Sequence, residues 1–187
     1  MHEWAALEAN EPEIAAAGRR LLEDAPIAPG DPETAGVPGV AFLATVSASG
    51  RPRMHPFIPA IVDGALWAFV IESPKQRDLE RASAVGASRK DTAVGASRKD
   101  SAVGASGEKG QYAIHARLGA NDEQFLVSGL ARRIDGSEER ARIGAAMPYD
   151  DIDERHILYQ FGIDRALWTT WETPTSPIHR SWVERSA

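Results

Sequence analysis

The sequence predicts a mainly β, antiparallel domain, a small barrel or sandwich with peripheral helices. Two observations carry this. From Val40 to Ile134, short apolar runs of strand length alternate with turns rich in Gly, Pro and Asp. Helical periodicity is confined to the amino terminus and to the residues that follow Ser73 and Ser137.

In chain order, HEWAALEANEPEIAAAGRRLLEDA spaces Trp4, Leu7, Ile14 and Leu21 as helices do, with an interruption near Pro12. PIAPGDPETAGVPG is a linker. VAFLATVSA is a near-continuous apolar run, expected of a strand covered on both faces. RPRMHPFIPAIV is a second strand, kept from a fully bonded central place by Pro52, Pro56 and Pro59. Asp63-Gly64 is a hairpin signal before a third strand, ALWAFVIE. SPKQRDLER opens a helix, with Ser73 as cap and Pro74 in the first helical position.

Next comes an internal repeat. Ala84 to Thr92 and Ala93 to Ser101 are one nonamer differing in the last residue, and Ala102 to Gly110 is a decayed third copy. With Val as its largest apolar residue the repeat can bury little, so it reads as a tandem expansion lengthening a surface loop at about 82–107. QYAIHARL and EQFLVSGLARRI are strands joined by a polar turn from Gly119 to Asp122. SEERARIGAAM is a helix capped by Ser137; HILYQFGIDRALWTTWE reads as two strands around a Gly-Ile-Asp bend, and IHRSWVE as a short last strand. The 187 residues fit one domain, with helices and linker at 1–35 and the β unit at 36–187.

The formal charge of -6 argues against general nucleic-acid binding, and the absence of cysteine excludes disulfides and thiolate chemistry. No apolar run approaches a membrane span and no leader pattern opens the chain, so a cytoplasmic protein is expected. The five histidines show no metal-ligand spacing, and the carboxylates of YDDIDE read as a solvated loop, so no metal site is expected.

Two places could carry chemistry. Strand alternation puts Arg53 and His55 on one face, about 7 Å apart, suiting a phosphate, an electron-rich ring, or only solvent. Ser73 and Lys75 open a helix whose first turn also carries Arg77 where acidic residues are favoured. That pattern fits either a bound phosphate or solvated cations. Trp168, Trp171 and Trp182, with His179 and Arg180, could stack on a flat ring or complete a core or interface.

FLATVSASGRPRMHPFIPAIVDGALWAFVIESPKQRDLER, continued after the repeat by GQYAIHARLGANDEQFLVSGLARRI, resembles the FMN-binding split β-barrel proteins related to pyridoxamine 5'-phosphate oxidase. The likeness runs from about Gly36 to the end, and the amino-terminal helix and Trp-rich tail are similar to a bacterial subgroup of that family. The resemblance implies a homodimer with FMN at the subunit interface and a small-molecule substrate. Arg53, Ser73 and Lys75 would hold the phosphate. The backbone around His55, Met54 included, would line the isoalloxazine together with Ala68 and Phe69. Trp171 and His179 would come from the tail of the same or the partner subunit, and His55 or His179 could touch the flavin or donate a proton.

The chain also departs from the oxidase pattern. Trp171 and His179 keep the oxidase spacing, but Pro177 and Ser181 stand where its arginines belong, and Glu-Ser-Pro-Lys replaces its Gly-Ser-Arg-Lys. The expectation is therefore an FMN-dependent oxidoreductase of that family acting on another substrate. The alternatives are a deazaflavin-dependent reductase, or a non-catalytic flavin or haem binder with His55, His115 or His179 as iron ligand.

Overall fold

A computed structural model describes residues 3–24, 39–87 and 111–184; the linker and most of the repeat lie outside them. Pro12 has no N–H to continue a helix, so the first helical segment divides at Glu11 into α1 (Trp4–Asn10) and α2 (Pro12–Arg19), the latter ending in a π-helical turn, Arg20–Asp24. Trp4 and Leu7 are fully buried in the same apolar cluster as the β-sheet. Polar struts hold the segment in place: Arg20 donates to both Glu123 oxygens (2.7 and 2.9 Å), and the Ile61 N–H donates to Glu23 (2.7 Å).

The strands are β1 (Ala41–Val46), β2 (Pro52–Phe57), β3 (Ala60–Val62), β4 (Ala65–Ile71), β5 (Gln111–His115), β6 (Gln124–Ile134), β7 (His156–Thr173) and β8 (Ser176–Val183). They form one antiparallel eight-stranded sheet in the order β2-β1-β5-β6-β7-β4-β3, with β8 on the remaining length of β7. Helices α3 (Pro74–Ala87) and α4 (Ser137–Ala146) complete the architecture, α3 reaching into the first nonamer. Four strand spacings separate β2 from β7, about 19 Å in a flat sheet. Yet Phe57 on β2 meets Phe161 on β7 at 6.0 Å between ring centroids, and Tyr112 on β5 meets Phe161 edge-on at 4.9 Å. The sheet therefore curls around these rings, while edges β2 and β3 do not pair, leaving the barrel split.

Several local expectations are realised by identifiable physics. β2 is an edge strand, as its prolines require, but RPRMHPFIPAIV is not the single strand expected: Pro59, which has no N–H, falls in a break, and β3 pairs with β4 at the opposite edge of the sheet. Asp63 and Gly64 have φ of 49° and 72°, the left-handed pair of a tight hairpin. β4 is buried on both faces, with Leu66, Ala68 and Val70 in the barrel and Trp67 and Phe69 in a second cluster with Ile143 and Met147.

Three further expectations are corrected. β1 is covered on one face only: Ala41, Leu43 and Thr45 are buried, whereas Phe42 is 38% and Val46 57% exposed, because nothing among the described residues overlies the outer face. Ser137 is the first helical residue of α4, and Gly136 is the cap, with no side-chain cap bond. The Gly-Ile-Asp segment does not break the chain into two strands. β7 runs 18 residues through it, and the pairing with β6 shifts at Ser128/Gly129, so that Asp164 is left over as a bulge.

Gly129 makes that bulge possible, since a Cβ there would stand 2.0 Å from the Gly162 carbonyl oxygen. Gly129→Val is expected to cost about 3 kcal/mol or more. A fall in urea midpoint measures it, and an unchanged midpoint would mean that the bulge tolerates a side chain. No helix among the described residues is long and apolar enough to cross a membrane.

Candidate functional site

β4 ends at Ile71 and Ser73 precedes α3, whose first bond runs from the Arg77 N–H to the Ser73 carbonyl (3.2 Å). The Ser73 hydroxyl is expected to cap the helix, yet Ser73 Oγ is buried with no hydrogen-bond partner among the described residues. Lys75 reaches across to β2, where Nζ donates to the Pro56 carbonyl (3.4 Å). One helical turn further, the buried Asp78 carboxylate accepts from Arg53 Nη1 (3.1 Å) and Thr45 Oγ1 (3.1 Å). Arg53 and His55 thus lie on the α3 side of β2, as alternation requires, and His55 Nε2 is a second buried atom without a partner.

Burial, followed by the charges of Lys75 and Arg53, holds the His55 imidazole below its ordinary 6.5, with Asp78 opposing. Burial likewise lowers the Lys75 ammonium below its ordinary 10.5. A buried polar atom without a partner carries a free-energy penalty of about 1–3 kcal/mol, and here two such atoms lie beside two cations at a helix amino terminus. An anion with several acceptor oxygens would satisfy Ser73 Oγ and meet both cations at once. The donor set fits the phosphate of a nucleotide-like cofactor.

The depressed imidazole has a measurable consequence. Its contribution to stability is complete above its unfolded value near 6.5 and is lost as pH falls toward the folded value. A phosphate dianion among the same groups would reverse the local field and raise the His55 value, which NMR of the ring protons with and without inorganic phosphate follows. An unchanged titration would place the phosphate elsewhere.

Other expected site residues are distributed differently. Met54 points to the opposite face of β2 and is 68% exposed. The side chains of Ala68 and Phe69 are buried, the first in the barrel and the second beneath α4, where the Arg140 guanidinium lies 4.9 Å from the ring centroid. β3 pairs only with residues 65–67, so among the described residues β4 has no strand partner on that edge at Ala68 and Phe69.

Trp171 is half-buried opposite Pro177, and the exposed His179 shares a 3.0 Å hydrogen bond between Nδ1 and Thr169 Oγ1. Both lie on the β7–β8 hairpin. Ile71, beside Ser73, pairs with His156 at the start of β7, which puts Trp171 about 50 Å along the strand path from it. Trp182 belongs to the core, and Trp168 donates to Glu123 (2.7 Å) beneath Arg180. No described hydrogen bond or ion pair joins the anion cluster to the aromatic tail of the same chain. Among the described residues no group of side chains is arranged to hold a metal, and in the YDDIDE loop Asp153 is engaged by Arg155 and His156.

Residue reasoning missed Asp78 and Thr45. The signal for Asp78 was its place three residues after Lys75, on the same helical face; Thr45 could be found only from the pairing of β1 with β2, which sets Thr45 opposite Arg53.

No family model matches the chain, and no curated protein matches it in sequence. Solved structures do match. A haem-binding protein of Mycobacterium smegmatis has 16% identity and a TM-score of 0.51, over 90% of this chain and 57% of its own. A NimC/NimA family protein of Clostridium acetobutylicum has 14% identity and a TM-score of 0.51, over 77% and 85%. The chain has the split β-barrel fold of the pyridoxamine 5'-phosphate oxidase-like proteins. A candidate pyridoxamine 5'-phosphate oxidase of Listeria innocua also matches, at 12% identity and a TM-score of 0.46, over 68% and 86%. At these identities what is shared is the split barrel itself. The chain spans little more than half the length of the mycobacterial protein.

Proposed function

We propose that this split barrel binds FMN and serves as an FMN-dependent oxidoreductase for a small molecule other than pyridoxamine 5'-phosphate. The observation that carries the reading is the pair of buried unpartnered atoms, Ser73 Oγ, two residues before Lys75, and His55 Nε2, whose ring feels the charges of Lys75 and Arg53. In it Arg53, Ser73 and Lys75 anchor the phosphate and the unpaired edge of β4 at Ala68 and Phe69 faces the ring. FMN would supply the redox chemistry, and the chain's own groups bind and orient it. A neutral His55 can accept a hydrogen bond beside the phosphate or hold a proton at Nε2 for substrate.

The working unit in this reading is a homodimer. Phe42, Val46 and Met54 expose a contiguous apolar face on β1 and β2, of a kind that protein interfaces cover. A second copy also gives the tail a role, because Trp171 and His179 of a partner subunit could complete a site to which no described contact ties them in their own chain. Sedimentation analysis is expected to give a dimer, and Phe42→Asp with Met54→Asp to shift it to monomer.

One observation favours a haem-binding reading: His55 Nε2 is buried, neutral and unpartnered, as an iron ligand must be before coordination. The mycobacterial structure of the same fold is a haem-binding protein. Titration of the purified chain with FMN, a deazaflavin cofactor and haemin, followed by visible absorption, separates the readings. Saturable FMN uptake, reduction by a nicotinamide and reoxidation by an acceptor support the proposal. Uptake of deazaflavin alone, or haemin uptake lost in His55→Ala, replaces the cofactor. Tight FMN binding without turnover leaves a carrier or sensor.

A further inference from the structure

Asp78 is the one carboxylate described as bonded to a residue of the cation cluster, and its side chain is only 1% exposed, against 38% for Arg53. A carboxylate so deeply buried beside a bound anion works against that anion by charge alone, so its presence needs a reason. Both described bonds fall on one oxygen, Oδ2: Thr45 Oγ1 donates from β1 and Arg53 Nη1 from edge strand β2. Helix α3 is thereby joined to two strands at the level where Lys75 meets Pro56.

We infer that Asp78 is the positioning residue of the anion site, holding the Arg53 guanidinium beside the amino end of α3 so that its remaining N–H groups are available to a phosphate. The inference rests on reading Arg53, Ser73 and Lys75 as a phosphate site. Arginine on an edge strand is long and conformationally free, and without a fixed partner it turns to solvent. A single Nη1 bond leaves the rest of the guanidinium fork to donate elsewhere. The charge of Asp78 is already met by Arg53 and by the Thr45 hydroxyl, so its repulsion of the ligand is small beside the gain from an ordered guanidinium. In this arrangement ordering precedes binding, which is what preorganisation requires.

The test compares FMN with riboflavin, which has the same ring and no phosphate, by flavin fluorescence on the full chain. Asp78→Ala is expected to reduce the preference for FMN over riboflavin about tenfold, the scale of one charge-assisted hydrogen bond. Asp78→Asn, which keeps an acceptor oxygen for Arg53, is expected to lose less, and Thr45→Val to move in the same direction. A merely structural role would weaken both flavins equally, and that outcome overturns the inference. A preference that is unchanged or increased in both Asp78 variants overturns it too, because charge repulsion would then outweigh positioning. If Asp78→Ala does not fold, Asp78→Asn and Thr45→Val decide. If the native chain does not prefer FMN, the flavin reading fails, and calorimetry with inorganic phosphate takes its place. Phosphate binding weakened in Asp78→Ala or Asp78→Asn sustains positioning; equal binding, or none by the native chain, overturns it.

Discussion

Exchanging Arg53 and Lys75 together for alanine is expected to lower FMN affinity by about 100-fold or more, on a scale of roughly 1.5–3 kcal/mol for each hydrogen bond to a charged group. Riboflavin affinity should change little. The two cations approach from different elements, an edge strand and a helix start, and each has its own tether, Asp78 for Arg53 and the Pro56 carbonyl for Lys75. Neither can move into the other's place, so the single variants should each show a substantial loss. Lys75→Ala also removes a charge that depresses His55, so the imidazole titrates higher in that variant. Fluorescence titration of both flavins against the variants checks this. Equal losses for FMN and riboflavin would mean that the cations support the ring or the fold, and would remove the phosphate from this cluster.

The second large effect concerns the barrel. Phe161→Ala is expected to destabilise the protein by about 3–5 kcal/mol, a large share of the roughly 5–15 kcal/mol that keeps a domain folded. Phe161 is fully buried on β7 and meets Phe57, Tyr112 and Tyr159 at 6.0, 4.9 and 6.4 Å between ring centroids. One ring therefore ties the split edge β2 to β5 and to its own strand. Phe161→Leu retains most of the volume and should cost less than about 1.5–2 kcal/mol. Urea unfolding measures both. A small loss for alanine would mean that the sheet is held closed by something other than this aromatic cluster.

What the sequence revealed follows from how local each feature is. The apolar run of β4 was legible because both its faces are buried, and Asp63-Gly64 because a turn needs left-handed φ at those two residues. β1 has the same kind of run, yet among the described residues nothing covers its outer face. Composition cannot tell a strand covered on both faces from one covered on a single face. In sequence the long β7 looks like two strands, because Gly162-Ile163-Asp164 has the composition of a bend. Gly129, across the sheet, absorbs the extra residue, and that compensation lies outside the segment itself.

At the site, alternation placed Arg53 and His55 together, and helix-start chemistry singled out Ser73 and Lys75. Meeting of the two groups could not be derived from either segment, since it depends on where α3 lies against an edge strand. Met54, expected to act through its backbone, and the tail, expected from the same or the partner subunit, depend still more on placement. The Met54 side chain faces outward although it adjoins His55 in sequence, and the tail lies on the β7–β8 hairpin, whereas Ser73 follows the strand paired with the start of β7.

The most direct measurement is a crystal structure of the chain with FMN. The phosphate is expected within hydrogen-bond reach of Ser73 Oγ, with Arg53 and Lys75 against its oxygens, Asp78 still bonded to Arg53, and Trp171 or His179 of a partner subunit near the ring. A flavin bound with its phosphate away from α3, leaving Ser73 Oγ and His55 Nε2 without partners, would contradict the assignment of this cluster as the cofactor's anchor.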